Sequence, residues 1–399
     1  MEAYFFDWLN MFFRWFHVVA GVAWIGASFY FVWLDLNLRQ PPQWKTDKGV
    51  KGDLWAIHGG GIYEVAKYQL EPPQMPTKLH WFKWEAYTTW LTGFALMSVM
   101  YYWGADQYLI DPSKMELTQL QAIGISLAFL VGGFVFYEAL VKSPLQNFPK
   151  VFGAILFSGL TFAAYALGEI FSDRAAYLHV GALIGSIMAG NVFFGIMPAQ
   201  RELVRAIEAG EKPDPQPSAF AKLRSTHNNY FTLPLLFIMI SNHYPMTFAH
   251  EQAWLVLALI CANAAFIRHY FNLKHQDNHQ PWILGAGAVM LFAIIGWMMP
   301  MPASTDSNQV TAQVSDARVL EVSQLRCASC HAAKPSSEMF SAAPGGIELE
   351  TLEQLRTNKA RILAAVQSKY MPLANITKMT DEERTEMVNW AKQAESFNH

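Results

Sequence analysis

Long apolar stretches and short polar segments alternate over the first 300 residues of the chain. Each stretch has about 18 to 25 residues, the length with which an α-helix crosses the hydrocarbon core of a bilayer. The pattern therefore predicts eight membrane helices, at 10–34, 81–103, 118–141, 150–171, 176–197, 228–245, 251–271 and 281–300. The sixth stretch is short and contains Pro234, which removes one backbone donor from a helix.

The pattern changes after Pro300 and Pro302, where the chain reads "ASTDSNQVTAQVSDA". This polar segment predicts a flexible linker at 301–316. Residues 317–399 then form a small separate domain. We therefore expect an all-α protein, with a polytopic membrane helix bundle in residues 1–300 and a small all-α domain at the C-terminal end.

The composition supports a membrane protein. Of the 399 residues, 52% are hydrophobic and only 15% are charged, which is too apolar for an ordinary soluble enzyme. Membrane lipid is thus an expected partner. A formal net charge of −3 provides no strongly basic surface, so we expect no nucleic-acid partner.

The segment "RCASCHAAKPSS", residues 326–337, contains the Cys-x-x-Cys-His pattern of covalent haem attachment. The thiols of Cys327 and Cys330 add to the haem vinyl groups, and His331 binds the iron from one side. The alternatives are a chance cysteine pair or a zinc knuckle. Zinc requires further Cys or His ligands nearby, and the tail offers only His399. The pattern therefore predicts haem c in a domain like the class I cytochromes c.

The second axial ligand of the iron is expected to be a methionine downstream. Met371 precedes Pro372 on a predicted loop, whereas Met379 stands beside a predicted helix start, where an apolar packing residue is typical. We favour Met371. Thr380 and Glu383 form a capping box, and the helix that they open carries Met387 and Trp390 to cover the haem edge. A His/Met pair raises the reduction potential, which suits electron acceptance.

Haem attachment of this kind occurs outside the cytoplasm, so the C-terminal domain is expected in the periplasm of a bacterial inner membrane. Eight spans place the N-terminus on the same side. The distribution of Lys and Arg agrees, because these residues concentrate in the loops that this topology assigns to the cytoplasm.

Histidines in the outer halves of the predicted helices are candidate ligands of a second haem. His17 and His179 are each followed by small residues that leave room for a flat macrocycle between helices. The functional interpretation is a non-covalent haem b held by both imidazoles, with His243 as a substitute ligand. The alternative is helix packing through small residues around hydrogen-bonded imidazoles.

Toward the cytoplasmic ends, four segments bring amides, imidazoles, cations and aromatic rings to one membrane face. The simple interpretation is a set of interfacial anchors and capped helix ends. The functional one is a polar pocket for a planar anion. Its expected substrate-binding residues are Gln200, Asn228, Asn229, Arg268 and His269, and its candidate proton acceptors are His58, Glu85 and His227. The glycines at 59–61 alone predict a turn, since we see no strand before them for a phosphate loop.

Two membrane segments, "HGGGIYEVAKY…MPTKLHWFKWEAYTTWLTGF" and "STHNNYFTLPLLFIMISNHYP", together with the haem motif, resemble the bacterial membrane-bound urate oxidase family. The resemblance covers nearly the whole chain. It implies that a multi-helix membrane domain oxidises urate to 5-hydroxyisourate in purine catabolism. It also implies that a fused cytochrome c takes the electrons and passes them to a downstream cytochrome c or a terminal oxidase.

Two other functions are compatible with these features: a quinol-to-cytochrome c electron-transfer subunit, and a membrane-anchored electron shuttle. Dense amides fit a quinone less well, and a shuttle needs only one anchor helix. A cytoplasmic pocket also lies about 30 Å from an external haem c. That distance favours haem b as an intermediate carrier.

Overall fold

The computed structural model describes residues 2–68, 70, 72–274, 278–299, 314–337, 340, 342–367 and 369–393. Residues 300–313, which include most of the predicted linker, lie outside this part of the chain. The helices of the first 300 residues are α1 (Glu2–Asn37), α2 (Gln43–Thr46), α3 (Trp84–Met97), α4 (Ala105–Tyr108), α5 (Gln119–Lys142), α6 (Pro149–Ile170), α7 (Asp173–Gly190), α8 (Met197–Glu208), α9 (Pro215–Ser241), α10 (Pro245–Phe248), α11 (Ala253–Lys274) and α12 (Trp282–Trp297). Those of the C-terminal domain are α13 (Asp316–Arg326), α14 (Leu352–Thr357), α15 (Lys359–Gln367) and α16 (Asp381–Lys392).

Within the described residues, five helices are long and apolar enough to cross a membrane. They are Tyr4–Asn37, Gln119–Lys142, Pro149–Ile170, Asp173–Glu208 and Ala253–Lys274. Much of their apolar surface faces outward. On α1, for example, Trp15 is 68% and Val22 is 65% exposed, although both are hydrophobic. Such outward apolar surface on long helices indicates membrane association.

The other three predicted spans are also helical. α3 continues through a π-helical segment, Ser98–Trp103, and α12 packs against α11. The prediction of a short sixth span starting at residue 228 is wrong about its start. α9 begins at Pro215, where the side chain of Asp214 accepts a hydrogen bond from the Gln216 N–H, and it passes through Pro234. His227, Asn228 and Asn229 therefore lie inside a helix.

A two-stranded hairpin follows α2. The sequence patterns did not predict this hairpin. β1 (Val50–His58) pairs antiparallel with β2 (Gly61–Tyr68). Gly59 and Gly60 form the turn with φ angles of 57° and 81°, which glycine adopts without strain. The expectation that these glycines make a turn is confirmed, but a strand does precede them. The strand leads into a second strand rather than into the helix of a phosphate loop.

The helix bundle has two distinct ends. We call the end formed by α4, α10 and the first turn of α7 the docking end, because the C-terminal domain lies on it. There Phe6 of α1 stacks on Tyr108 of α4, so the first turns of α1 are at the same end. The opposite end contains the last turn of α5 and the first half of α9, which are joined by an ion pair between Glu138 and Arg224.

The C-terminal domain has its own apolar core, drawn from α13 to α16. Val319, Leu355 and Met387 are each fully buried in this core. The predicted helix start at Thr380 is confirmed: the Thr380 side chain accepts from the Glu383 N–H, and the Glu383 carboxylate accepts from the Thr380 N–H. These bonds satisfy backbone donors that a helix start otherwise leaves unpaired.

Candidate functional site

A cavity of about 190 Å³ lies in the C-terminal domain, and the predicted haem residues line it. Cys327, Cys330 and His331 reach it from the turn after α13. The Nδ1–H of His331 donates to the Ile347 carbonyl at 2.9 Å. This bond leaves Nε2 as the unprotonated nitrogen, and such a partner is typical of an imidazole that binds a metal.

Both candidate methionines line the same cavity but differ in their surroundings. Met379 is 4% exposed and belongs to the apolar core of the domain, whereas Met371 is half-buried. The backbone of Met371 is held in place from two sides: its N–H donates to the Ala365 carbonyl, and its carbonyl accepts from Arg384 at 2.8 Å. Arg384 also donates to the Val366 carbonyl. These bonds fix the loop that carries Met371.

The segment that carries the two cysteines is tied to α16. Arg326 forms two hydrogen bonds of 2.9 Å to the Glu383 carboxylate and a third, of 2.6 Å, to the Thr377 carbonyl. The Arg326 guanidinium holds the pKa of Glu383 below its usual range. Burial raises the pKa of the free Cys327 thiol to about 11. The haem-attachment turn is thus anchored by a geometrically specific, bidentate ion pair.

The residues present fit a covalently bound haem c. Two thiols and an oriented imidazole stand at one side of an apolar cavity, and two thioethers are available to it. Among the described residues, no group of three or more His, Cys, Asp or Glu side chains is arranged to hold a metal ion. The two thiols, the imidazole and the two thioethers of this cavity thus suit a haem, which needs only axial ligands, better than a bare metal ion.

The cavity, which we call the haem cavity after the group that its residues fit, lies against the helices of the first 300 residues. Gln107 of α4 is part of its lining, and the Gln107 Oε1 atom is buried without a hydrogen-bond partner among the described residues. Tyr370, which also lines the cavity, packs against Phe248 of α10 with ring centroids 6.0 Å apart. Phe340 and Leu373 contact the same apolar core. The cavity is therefore continuous with the docking end of the bundle.

The two histidines predicted to share a haem b each have other partners. His17 lies against Thr92 and Gly93 of α3 and donates from Nδ1 to the Thr89 carbonyl at 2.9 Å. Farther from the docking end, Trp90 of α3 donates to Ser186 of α7 at 3.0 Å, and Ser186 lies seven residues after His179.

Two imidazoles that share one metal each place a nitrogen about 2 Å from it. In this structure both rings are engaged by protein partners, so a haem b between them would have to displace those contacts. The ring of His179 has other partners: Nδ1 donates to the Ala175 carbonyl, and Nε2 accepts from the Ser126 hydroxyl, both at 2.7 Å. The substitute ligand His243 is exposed at the end of α9.

Two residues of the predicted anion pocket belong to a buried network at the opposite end. The Asn191 amide donates to the Tyr137 hydroxyl at 2.9 Å and to Asn228 at 2.8 Å, and Tyr137 in turn donates to His227 Nδ1 at 2.9 Å. Arg224 donates to Asn191 at 3.0 Å. The amides, hydroxyl and imidazole of this network thus bond to one another.

Asn229 and Arg268 form a second buried group. The Arg268 guanidinium donates to the Asn229 carbonyl oxygen and lies 4.3 Å from the centre of the Phe29 ring. Asn229 donates to Asn272 at 3.0 Å. His269 accepts a hydrogen bond of 2.7 Å from Tyr230. These side chains join α9 to α11 and α1.

The remaining candidates stand apart from both groups. His58 is exposed at the tip of the hairpin, and Gln200 is exposed on α8. Glu85 lies in the first turn of α3, where its Oε2 atom is buried without a partner in the described part of the chain. The structure therefore does not assemble the eight predicted pocket residues into one site.

Sequence reasoning missed three charged or polar residues at this end, Tyr137, Glu138 and Arg224. Glu138 lies within a predicted membrane span, and an ionisable residue at that depth is costly unless it is paired. That signal was available from the sequence. There was no comparable signal in the sequence for Arg224, because its position in a helix depends on the early start of α9.

The fold defines an α-helical protein whose long apolar helices indicate membrane association. The sequence model of the urate oxidase N-terminal family matches residues 3–299, so the chain belongs to this family. Family membership indicates an oxidoreductase that acts on urate, which confirms the urate oxidase part of the resemblance. Neither a curated protein nor a solved structure matches the chain.

Proposed function

We propose that the protein is a membrane-bound oxidoreductase that oxidises urate to 5-hydroxyisourate and delivers the electrons to a haem c in its own C-terminal domain. Urate is proposed as the substrate because the family model matches residues 3–299. The electron acceptor is supported by Cys327, Cys330 and His331, which line one cavity with both candidate methionines.

The reaction balances without oxygen. The urate monoanion loses two electrons and one proton to give a neutral dehydrourate. Water then adds at C5 to give 5-hydroxyisourate, so the sum is urate monoanion plus water to 5-hydroxyisourate, one proton and two electrons. When bound, haem c supplies an iron that accepts one electron at a time.

The chain's own residues hold the haem. Cys327 and Cys330 form the thioether bonds, His331 presents Nε2, and Met371 supplies the sulfur ligand. Met379 contributes to the core instead, because it is more deeply buried than Met371.

An eight-span topology in a bacterial inner membrane, with the N-terminus and the C-terminal domain in the periplasm, is part of this proposal. Five apolar helices and the position of Phe6 at the docking end support it. α9 also extends from Arg224 at the opposite end to Asn242 at the docking end, where Asn242 accepts from Arg174. From the haem c domain, electrons continue to a downstream cytochrome c or terminal oxidase as part of purine catabolism.

The test adds urate to anaerobic membranes that contain the protein and records the haem c absorption. We expect haem c to be reduced and 5-hydroxyisourate to appear at one molecule per two electrons. Reduction by a quinol but not by urate would instead identify a quinol-linked electron-transfer subunit. Reduction only by a reduced soluble protein would identify an electron shuttle.

A further inference from the structure

Two guanidinium groups with neutral partners lie at the docking end. Arg14 of α1 donates to the Asn10 side chain at 2.9 Å, and Arg174 of α7 donates to that of Asn242. Two carboxylates lie nearby: Asp173 is paired with Lys114, and Asp7 of α1 acts on Tyr108. The neutral hydrogen-bond partners of Arg14 and Arg174 therefore leave the positive charges available to an anion.

A buried hydroxyl without a partner lies beside these cations. Tyr101 is 3% exposed, and its hydroxyl has no hydrogen-bond partner among the residues that the structure describes. Arg174 lies close enough to act on this hydroxyl as a weak donor and Arg14 acts on it through its charge alone, but the hydroxyl completes no hydrogen bond of ordinary geometry. Leaving a buried polar group unpaired is costly, so its presence indicates a ligand that would satisfy it.

Aromatic rings complete the surroundings. The Tyr108 ring lies 6.3 Å from that of Tyr101, and the guanidinium of Arg174 is 5.8 Å from the centre of the Tyr108 ring. Phe6 already stacks on Tyr108, so a flat, delocalised anion meets these rings beside that pair and turns its oxygens toward the charges.

This group of residues is adjacent to the haem cavity. Gln107, next to Tyr108 in α4, lines that cavity, and so does Tyr370. Tyr370 also interacts electrostatically with both Tyr101 and Tyr108. Tyr370, the residue before Met371, thus lies near both the haem cavity and the Tyr101 hydroxyl.

We propose that the planar substrate anion binds at the docking end, against Arg14, Arg174 and the Tyr101 hydroxyl. This inference rests on the proposed function and adds the position of its substrate site. Binding there removes the need for a carrier across the membrane, because the substrate lies at the same end of the bundle as the haem cavity.

The opposite end is a weaker candidate for the same role. There the buried amides, His227 and the two terminal nitrogens of Arg224 already bond to protein partners, so a ligand would have to break those bonds, and only the Arg224 Nε atom has no partner among the described residues. An electron starting there would also travel the length of α5, whose 24 residues span roughly 36 Å at 1.5 Å per residue.

The docking end also contains an acceptor for the substrate proton. The His179 ring lies 5.7 Å from that of Tyr101, and its Nε2 accepts from Ser126. Ser126 in turn accepts a hydrogen bond of 2.8 Å from Tyr102. A proton released by the substrate shifts along this chain from Tyr102 to His179, while the two electrons leave toward the haem cavity.

The first test measures binding without turnover. Radiolabelled urate is dialysed to equilibrium against the full-length protein with haem c kept reduced by dithionite, so that no oxidation occurs. We expect Arg14→Gln to raise the Kd about tenfold or more, and Arg14→Lys to restore part of the affinity. Tyr101→Phe should raise it about two- to tenfold, as for one lost hydrogen bond.

Tyr177→Phe is the matched control. Tyr177 is a buried tyrosine at the same end, but its hydroxyl bonds to the Thr247 and Ala253 carbonyls, so its loss tests general disruption of this region. We expect its Kd to stay within about twofold of wild type. The dithionite-reduced haem c spectrum confirms that each variant is folded.

The second test uses sidedness. In sealed vesicles of one orientation, impermeant ferricyanide identifies the membrane side that carries haem c. Urate added on that side should reduce haem c without permeabilisation. The proposal is overturned if urate acts only from the other side. It is equally overturned if Arg268→Gln abolishes binding while Arg14→Gln and Tyr101→Phe bind normally. If wild type neither binds urate nor is reduced by it, the proposed function itself fails.

Discussion

The ring of Tyr370 packs against the ring of Phe248, and Tyr370 is the residue immediately before Met371. The chain that carries the candidate iron ligand therefore also forms the contact between the C-terminal domain and the membrane helices. This contact places the haem cavity at one particular end of the bundle. Any substrate site that serves this cavity directly must lie at the same end.

Replacing the methionines separately should distinguish the iron ligand from the core residue. We expect Met371→Ala to remove the long-wavelength sulfur-to-iron absorption band of the oxidised haem. Met379→Ala should keep the band but lower the stability of the domain by about 2–5 kcal/mol, since it empties a buried core position. The assignment is reversed if Met379→Ala loses the band and Met371→Ala retains it.

The Arg326–Glu383 pair predicts a pH dependence of the C-terminal domain. Because the pKa of Glu383 is lowered in the folded state, the pair contributes its full stability above the unfolded pKa, about 4.3. This contribution is lost as the pH falls through the lower, folded pKa. Thermal unfolding of the full chain, followed by haem absorption, should show Glu383→Gln less stable by about 1–3 kcal/mol at pH 7. The difference should begin to shrink below about pH 4.3 and close once the pH has fallen below the folded pKa of Glu383. A difference that stays constant from pH 7 down to acid unfolding would contradict this account.

The buried ion pair at the opposite end is expected to be structural. Arg224 is 1% exposed, so Glu138→Ala leaves a buried charge without its partner and should destabilise the protein by about 3–5 kcal/mol. The exposed Glu169 on α6 provides the matched control, and Glu169→Ala should change stability by less than about 0.5 kcal/mol. The thermal midpoint of the detergent-purified protein, measured by tryptophan fluorescence, tests both. Equal midpoints for the two variants would show that the pair contributes nothing.

The positions of His17 and His179 predict the result of pigment extraction. Acid–acetone removes non-covalent haem and leaves haem c on the protein. Because His17 donates to a backbone carbonyl and both ring nitrogens of His179 are already hydrogen-bonded, we expect no extractable haem that depends on both of them. The measurement is repeated on His17→Ala and His179→Ala. An extractable haem that is lost in both variants would show that the helices shift to share one iron.

The sequence by itself determined the features that depend on neighbouring residues. Cys327, Cys330 and His331 predict haem attachment because the chemistry needs them within five positions, and the structure places all three at one cavity. Thr380 and Glu383 identified a helix start because a capping box spans a single turn. The long apolar stretches identified helices because each is long enough to satisfy its own backbone in lipid.

The sequence predictions were wrong where one local pattern is compatible with two structures. The hairpin at Val50–Tyr68 has strand-like residues around two glycines, but its membrane surroundings favoured a loop. The start of α9 was placed too late, because hydropathy marks where a helix enters lipid and not where the helix begins.

Only the tertiary structure decided which polar residues meet. Arg14, Tyr101 and Arg174 come from three helices, and nothing in their spacing indicates that α1, α3 and α7 place them at one end. The same holds for Glu138 and Arg224, which are 86 positions apart and form one ion pair. Helix periodicity sets the face and the approximate depth of a side chain. The axial level at which helices pack is set by interlocking side chains such as Trp90 and Ser186, which join α3 to α7.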